Sequence, residues 1–128
     1  MKIVKWIPQV LLIIAYTMAG LMKLFTPYDQ ISVTQGMDWT KDFTPMMTKI
    51  IGLLEFLGAL GLFLPVVLKR NLNLVPLAAA GLALTMVGAM ITHDGRGEME
   101  ALPPNVVLLL LSLLVIYIRK DFLKKSAA

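Results

Sequence analysis

Three side chains able to do acid–base or hydrogen-bonding chemistry interrupt or border long apolar runs: Lys23, Glu55 and the single histidine, His93. Glu55 is the one acid within such a run, nine residues beyond Met46, or about 14 Å along a helix. In a hydrocarbon core about 30 Å thick that depth is the midplane, where insertion scales charge roughly 2.5–3.5 kcal/mol for an ionised residue. Such a residue faces the bundle interior, finds a partner or stays protonated. The partners at hand are Lys23, at the end of the first run, and His93, at the end of the third. An ion pair or a water-bridged triad would satisfy the acid. In the competing arrangement Lys23 snorkels to the surface and His93 is an ordinary interface residue.

A carboxylate, an ammonium and an imidazole converging in an apolar pocket would orient a small amphipathic ligand. Lys23 would donate to a carbonyl or sulfonate oxygen, and Glu55 would exchange a proton with His93, imidazole being the side chain that ionises near neutral pH. Tyr16 and Thr85 join this candidate set from neighbouring helix positions. Two rival uses of the same residues are a proton-coupled exporter working through Glu55 and a structural anchor in which Lys23 and Glu55 only lock the bundle. No residue pattern makes a catalytic set or a metal site.

The elements that must hold these groups follow from hydropathy. Of 128 residues, 58 % are apolar and 16 % charged, well outside the range of soluble domains. The excess lies in four runs of 17 to 22 residues, Trp6 to Met22, Ile50 to Leu68, Asn71 to Thr92 and Ala101 to Ile118, each near the length that crosses a bilayer as a helix. The expectation is an all-α integral membrane four-helix bundle, one domain over residues 1–128, with spans at about 6–24, 48–68, 74–92 and 103–118. Helical spacing puts Tyr16, Gly20 and Lys23 on one face of the first span and Gly52, Glu55, Ala59 and Leu62 on one face of the second, with Gly58 beside it. On the third, Ala78, Gly81, Thr85, Gly88, Ala89 and Thr92 form a small-residue stripe. Gly20, Gly52, Gly58, Gly61, Gly81 and Gly88 are therefore expected at helix contacts, where small residues let backbones approach in lipid. The last span, rich in leucine, reads as the lipid-facing or partner-facing member.

Cysteine is absent, which removes disulfide, thiol-relay, iron–sulfur and thiolate-zinc chemistry, and one histidine removes bis-histidine haem and multi-histidine copper sites within one chain. The first run has Lys2 and Lys5 ahead of it, as a signal peptide would, but it is long enough to span and no small-residue cleavage site follows, so it reads as a retained helix. Net charge is +4, yet the basic residues flank the spans instead of forming a nucleic-acid-binding stripe. Lys2, Lys5, Lys69, Arg70, Arg119, Lys120, Lys124 and Lys125, eight of the twelve, share one side, which the positive-inside rule makes cytoplasmic for both termini. Between the first two spans Tyr28, Trp39 and Phe43 are spaced as interfacial aromatics. An Asp38-capped short helix would point Trp39 and Phe43 together, onto the headgroups or over the bundle mouth. Pro103 and Pro104 open the last span, and the tail after Ile118 reads as solvated and frayed.

The run Gly52-Leu-Leu-Glu55-Phe-Leu-Gly58-Ala59-Leu-Gly61-Leu62-Phe-Leu-Pro65 resembles the second-helix signature of the DoxX and DoxX-like membrane proteins. Ala19-Gly20-Leu21-Met22-Lys23-Leu24, Gly88-Ala89, His93 and Pro103-Pro104 are similar to further landmarks of that family, in the same order and over essentially the whole chain. The resemblance implies a four-helix inner-membrane protein. Named members are associated with respiratory or sulfur-oxidation complexes, including a subunit of a thiosulfate:quinone oxidoreductase, or with protection against oxidative stress. Together with the polar cluster it points to an accessory subunit that is not catalytic alone, with a quinone or another small amphipathic molecule as the non-covalent ligand and a protein partner or a second copy beside it in lipid. The small multidrug resistance exporters carry their glutamate in the first helix, whereas Glu55 lies in the second.

Overall fold

The computed structural model describes residues 2–34 and 37–123; Lys124 and Lys125, counted in the charge asymmetry, lie outside the described residues. Among those residues all regular structure is helical. Four long helices, α1 (Lys2–Phe25), α3 (Pro45–Leu68), α4 (Leu74–Gly95) and α5 (Leu102–Ile118), are joined by short links, with a one-turn helix α2 (Tyr28–Ile31) and two 3₁₀ turns (Asp38–Asp42 and Met99–Ala101) between them. The segment from α2 to Phe43 is called the strap below. The strap end and the end bearing the termini are the two ends of the bundle.

Three of the long helices, α1 from Ile3, α3 and α4, have the length and apolar composition to cross a membrane, while α5, at 17 residues, is shorter. At about 1.5 Å per residue α5 is about 26 Å long. The helix ends are written in local sequence. Pro27, extended at φ −58° and ψ 144°, stops α1. Thr44 caps α3, its hydroxyl accepting from the Met47 N–H at 3.1 Å, with Pro45 in the first turn. Pro103 and Pro104 occupy the first turn of α5. The α3–α4 link turns through left-handed Lys69 and Asn71, so these helices are antiparallel neighbours.

Packing runs in a ring: α1 lies most extensively on α3, α4 on α5, and α3–α4 and α1–α5 contacts close it. The core is aliphatic with one aromatic, Leu12, Tyr16, Ala59, Leu62, Val75, Ala79, Leu82, Met86 and Val115. Helix α5 packs on two helices and buries Ser112 and Val115, so it is a wall of the bundle, while Val107, Leu110, Leu113, Leu114 and Tyr117 form the exposed apolar face expected of it. Of the segment after Ile118, residues 119–123 continue in turns and Arg119 donates to the Gln9 side chain at 2.8 Å. The rest of the expected solvated tail, residues 124–128, lies outside the described residues.

The glycines divide by geometry. A Cβ on Gly20 would lie 2.7 Å from the Gly52 carbonyl oxygen, and one on Gly52 would lie 2.6 Å from Lys23 Cβ, so α1 and α3 cross backbone to backbone. Gly58 and Gly61 admit Leu82 and Ala78 of α4, at 2.6 and 2.7 Å from where their Cβ atoms would stand. Gly81 and Gly88 correct the expected stripe, since each faces open space with nothing within 4 Å. The buried residues of α4 are instead Val75, Pro76, Ala79, Leu82, Ala83, Met86 and His93. A helix apolar on every side has no polar face to mark which side turns inward, so residue size alone pointed to the wrong one.

Candidate functional site

Lys23 and Glu55 meet. The Lys23 ammonium donates to Glu55 Oε1 at 2.6 Å, with the residues 6 % and 4 % exposed. The contact follows from the α1–α3 crossing. Gly52, one turn before Glu55 on the same face, has no Cβ, so the Lys23 stem lies across it and its head reaches the carboxylate. Two opposite charges so placed cancel, which removes the cost of holding either one alone.

His93 is also buried, but its partner is not Glu55. Its Nδ1 lies 2.9 Å from Glu98 Oε1. The chain turns at Gly97, where φ is +73°, and the Glu98 N–H donates to the His93 carbonyl at 2.9 Å, which brings the two side chains together five residues apart. Glycine is favoured there because, with no Cβ, it enters that backbone region without strain. The expected three-way cluster is thus two pairs, bridged by Trp39. The Lys23 ammonium is 5.6 Å from the Trp39 ring centre, and the His93 ring is edge-on to it at 6.4 Å.

Trp39 is held by the strap. Phe43 packs edge-on against it at 5.6 Å, and the Tyr28 hydroxyl lies 2.9 and 2.8 Å from the Thr40 and Phe43 carbonyls. Trp39 and Phe43 therefore cover the mouth of the bundle, the second of the two placements expected for them. The 3₁₀ turn that carries Trp39 has Met37 at its N-cap, and the Asp38 side chain, expected to cap it, lies outside the described residues.

Beneath Trp39 lies a cavity of about 490 Å³, within the size range of small-molecule sites. Its polar lining includes Lys23, Glu55, Thr85, His93 and Asn105, and its apolar lining includes Ile51, Leu54, Met86, Ala89 and Leu108. The Thr85 hydroxyl bonds its own helix, donating to the Gly81 carbonyl at 3.0 Å. Tyr16 does not line the cavity; its ring is fully buried in the core, one helical turn and more below. Gly88 is in the cavity wall, a role its small size had not suggested. Among the described residues no three histidine, aspartate or glutamate side chains gather as a metal ligand set would. A second depression of about 450 Å³, lined by Leu24, Pro45, Lys49 and Leu53 among others, contains no buried polar group.

Two polar residues escaped the sequence reading. Asn105, at the start of α5, reaches the cavity wall, and its Nδ2 is buried without a hydrogen-bond partner. Gln9 is fully buried near the terminal end. Its Nε2 donates to the Leu62 carbonyl at 2.7 Å and its Oε1 accepts from Arg119. Arg119 stands over the Trp6 and Phe122 rings at 4.8 and 5.0 Å, and burial lowers its pKa from the usual guanidinium value. Spacing could have exposed Gln9, since positions 9, 12, 16, 20 and 23 form one helical stripe and all are buried.

Residues 7–115 match the sequence model of the DoxX-like family. No curated protein and no solved structure matches the chain.

Proposed function

Because this chain belongs to the DoxX-like family of membrane proteins, we propose that it is an accessory subunit of a quinone-linked or oxidative-stress-related membrane complex. In this reading its cavity holds the head group of a quinone-like or other amphipathic ligand. The observation that carries it is the neutral Lys23–Glu55 pair in the wall of a cavity roofed by Trp39, a polar anchor in an otherwise apolar site. The ammonium retains two further protons for a ligand oxygen once Glu55 has taken one. The four long helices all span, both termini face the cytoplasm of the inner membrane, and a protein partner or a second copy completes the assembly. The unequal distribution of basic residues supports the orientation.

Trp39 provides the test. In lipid nanodiscs, on a Trp6→Phe background that leaves Trp39 as the sole tryptophan, decylubiquinone should quench its fluorescence saturably. Lys23→Met and Glu55→Gln should each weaken that binding at least about tenfold, or about 1.4 kcal/mol. Unchanged affinity in both variants would remove the proposed site.

One observation favours a second reading, the structural lock. The ion pair sits directly on the Gly20–Gly52 crossing, where it fastens α1 to α3. If that were its whole role, the same substitutions would lower thermal stability while quinone affinity stayed unchanged. An exporter cycling Glu55 through protonation would have to break the 2.6 Å pair at each turn, and proton release on adding substrate to proteoliposomes would reveal it.

A further inference from the structure

The stripes by which α3 and α4 face one another touch over one half of their length and part over the other. On α3 the stripe is Ile51, Leu54, Gly58 and Gly61, and on α4 it is Ala78, Leu82, Thr85 and Ala89. Toward the terminal end Gly61 meets Ala78 and Gly58 meets Leu82, each too close to admit a Cβ. Toward the strap end Ile51 and Leu54 line the cavity together with Thr85 and Ala89.

The parted half opens sideways. Leu54 lines the cavity yet is 56 % exposed, and Gly88 lines it yet has no atom within 4 Å of where a Cβ would stand. Leu84 and Ile91, one turn to either side of Gly88, are large and exposed, so the glycine leaves a notch between them. Over the strap end, by contrast, Trp39 and Phe43 form a roof tied down by Tyr28, and Lys23, Glu55 and His93 below it are buried. At the depth of Glu55 the opening between α3 and α4 faces whatever surrounds the helices, which for spanning helices is the acyl region of the bilayer.

Charge narrows the head group. The Lys23 charge is cancelled by Glu55 and His93 is engaged by Glu98, so no unpaired cation awaits an anion in the cavity wall. Asn105 lines the cavity and its Nδ2 has no hydrogen-bond partner, so it is a donor that a neutral carbonyl would satisfy.

Building on the ligand-pocket reading above, we propose that the ligand is a neutral, carbonyl-bearing amphipath with a single hydrocarbon tail. It reaches the cavity from the lipid through the slot between Leu54 and Gly88. Its head lies against Asn105 beneath Trp39, and its tail stays in the notch at Gly88.

The test uses the full chain in phosphatidylcholine vesicles on the Trp6→Phe background, with quenching of Trp39 by two probes, decylubiquinone and the same benzoquinone without its tail. Gly88→Phe fills the notch and should weaken the tailed probe at least about tenfold while changing the tail-less one by less than about twofold. Leu54→Phe closes the slot from the other wall and should act in the same direction. Gly81→Phe, two turns from Gly88 on the same open face but outside the cavity, should change neither. Asn105→Ala should weaken both probes. Wild-type affinity for the tailed probe in Gly88→Phe and Leu54→Phe would overturn the lateral slot while leaving the pocket standing. An equal loss in Gly81→Phe would overturn it too, by tracing the effect to helix distortion. Failure of both probes to bind the unsubstituted protein would overturn the pocket reading and this one together.

Discussion

Lys23 and Glu55 depend on each other more than either contributes alone. A buried ion pair offers little net stability over apolar residues of similar size, but removing one partner leaves an uncompensated charge in a low-dielectric interior. Lys23→Met should therefore destabilise the protein by about 3 kcal/mol, and the double variant Lys23→Met, Glu55→Gln should recover most of that loss. Thermal unfolding in mild detergent measures both, and a double variant no more stable than the single would contradict the pairing. His93 illustrates the same dependence with a different outcome. The turn at Gly97 brings Glu98 to it before any group on another helix can compete, so a local partner wins over the distant acid.

Among the helices, α1 and α3 are held by contact between backbones. A Cβ at Gly20 would meet the Gly52 carbonyl oxygen at 2.7 Å and the Phe56 nitrogen at 2.8 Å, atoms that cannot move aside without shifting a helix. Gly20→Ala should cost about 1–3 kcal/mol, as overpacking of a tight contact does. Gly81→Ala, on a helix of the same bundle but with open space around it, should instead stabilise by about 0.5–1 kcal/mol, because alanine has less backbone freedom to lose. Melting temperatures of the two variants should move in opposite directions; a loss of stability in Gly81→Ala would mean that its face is packed after all. Helix α5 contributes at this scale too, since Asn105 at its start and Ser112 and Val115 along it make it a wall of the cavity and of the core.

Across the whole molecule, polar groups collect at two levels. The Lys23–Glu55 and His93–Glu98 pairs lie under the strap, and Gln9 with Arg119 ties the start of α1 to the turn after α5 near the opposite end. The proposed orientation puts the first level toward the outside of the cell and the second toward the cytoplasm. The absence of cysteine makes this directly testable, because any introduced cysteine is the sole reporter. Thr34→Cys in the strap should react with a membrane-impermeant maleimide in intact cells. Lys5→Cys should react only after the membrane is opened, and the reverse pattern would invert the topology.

The sequence by itself determined that this is a helical membrane chain of the DoxX-like family, where its long helices lie, and that Glu55 needs an inward partner with Lys23 within reach. Those conclusions rest on large local signals: runs long enough to span, prolines at helix ends, and a charge whose burial is too costly to be accidental. Only the tertiary structure decided that His93 turns to Glu98, that Gln9 meets Arg119, that Tyr16 belongs to the core, and that Gly81 and Gly88 face outward while Gly20 and Gly52 touch. For α4 the reason is that a helix apolar on all sides has no amphipathic period to assign its faces. For Gln9 and His93 it is that each partner, Arg119 or Glu98, lies beyond the end of a helix and is fixed only when the chain turns there. Which residues enclose the cavity is then settled by how α1, the strap, α3, α4 and α5 come together around it, a relation between segments distant in sequence that no single run contains.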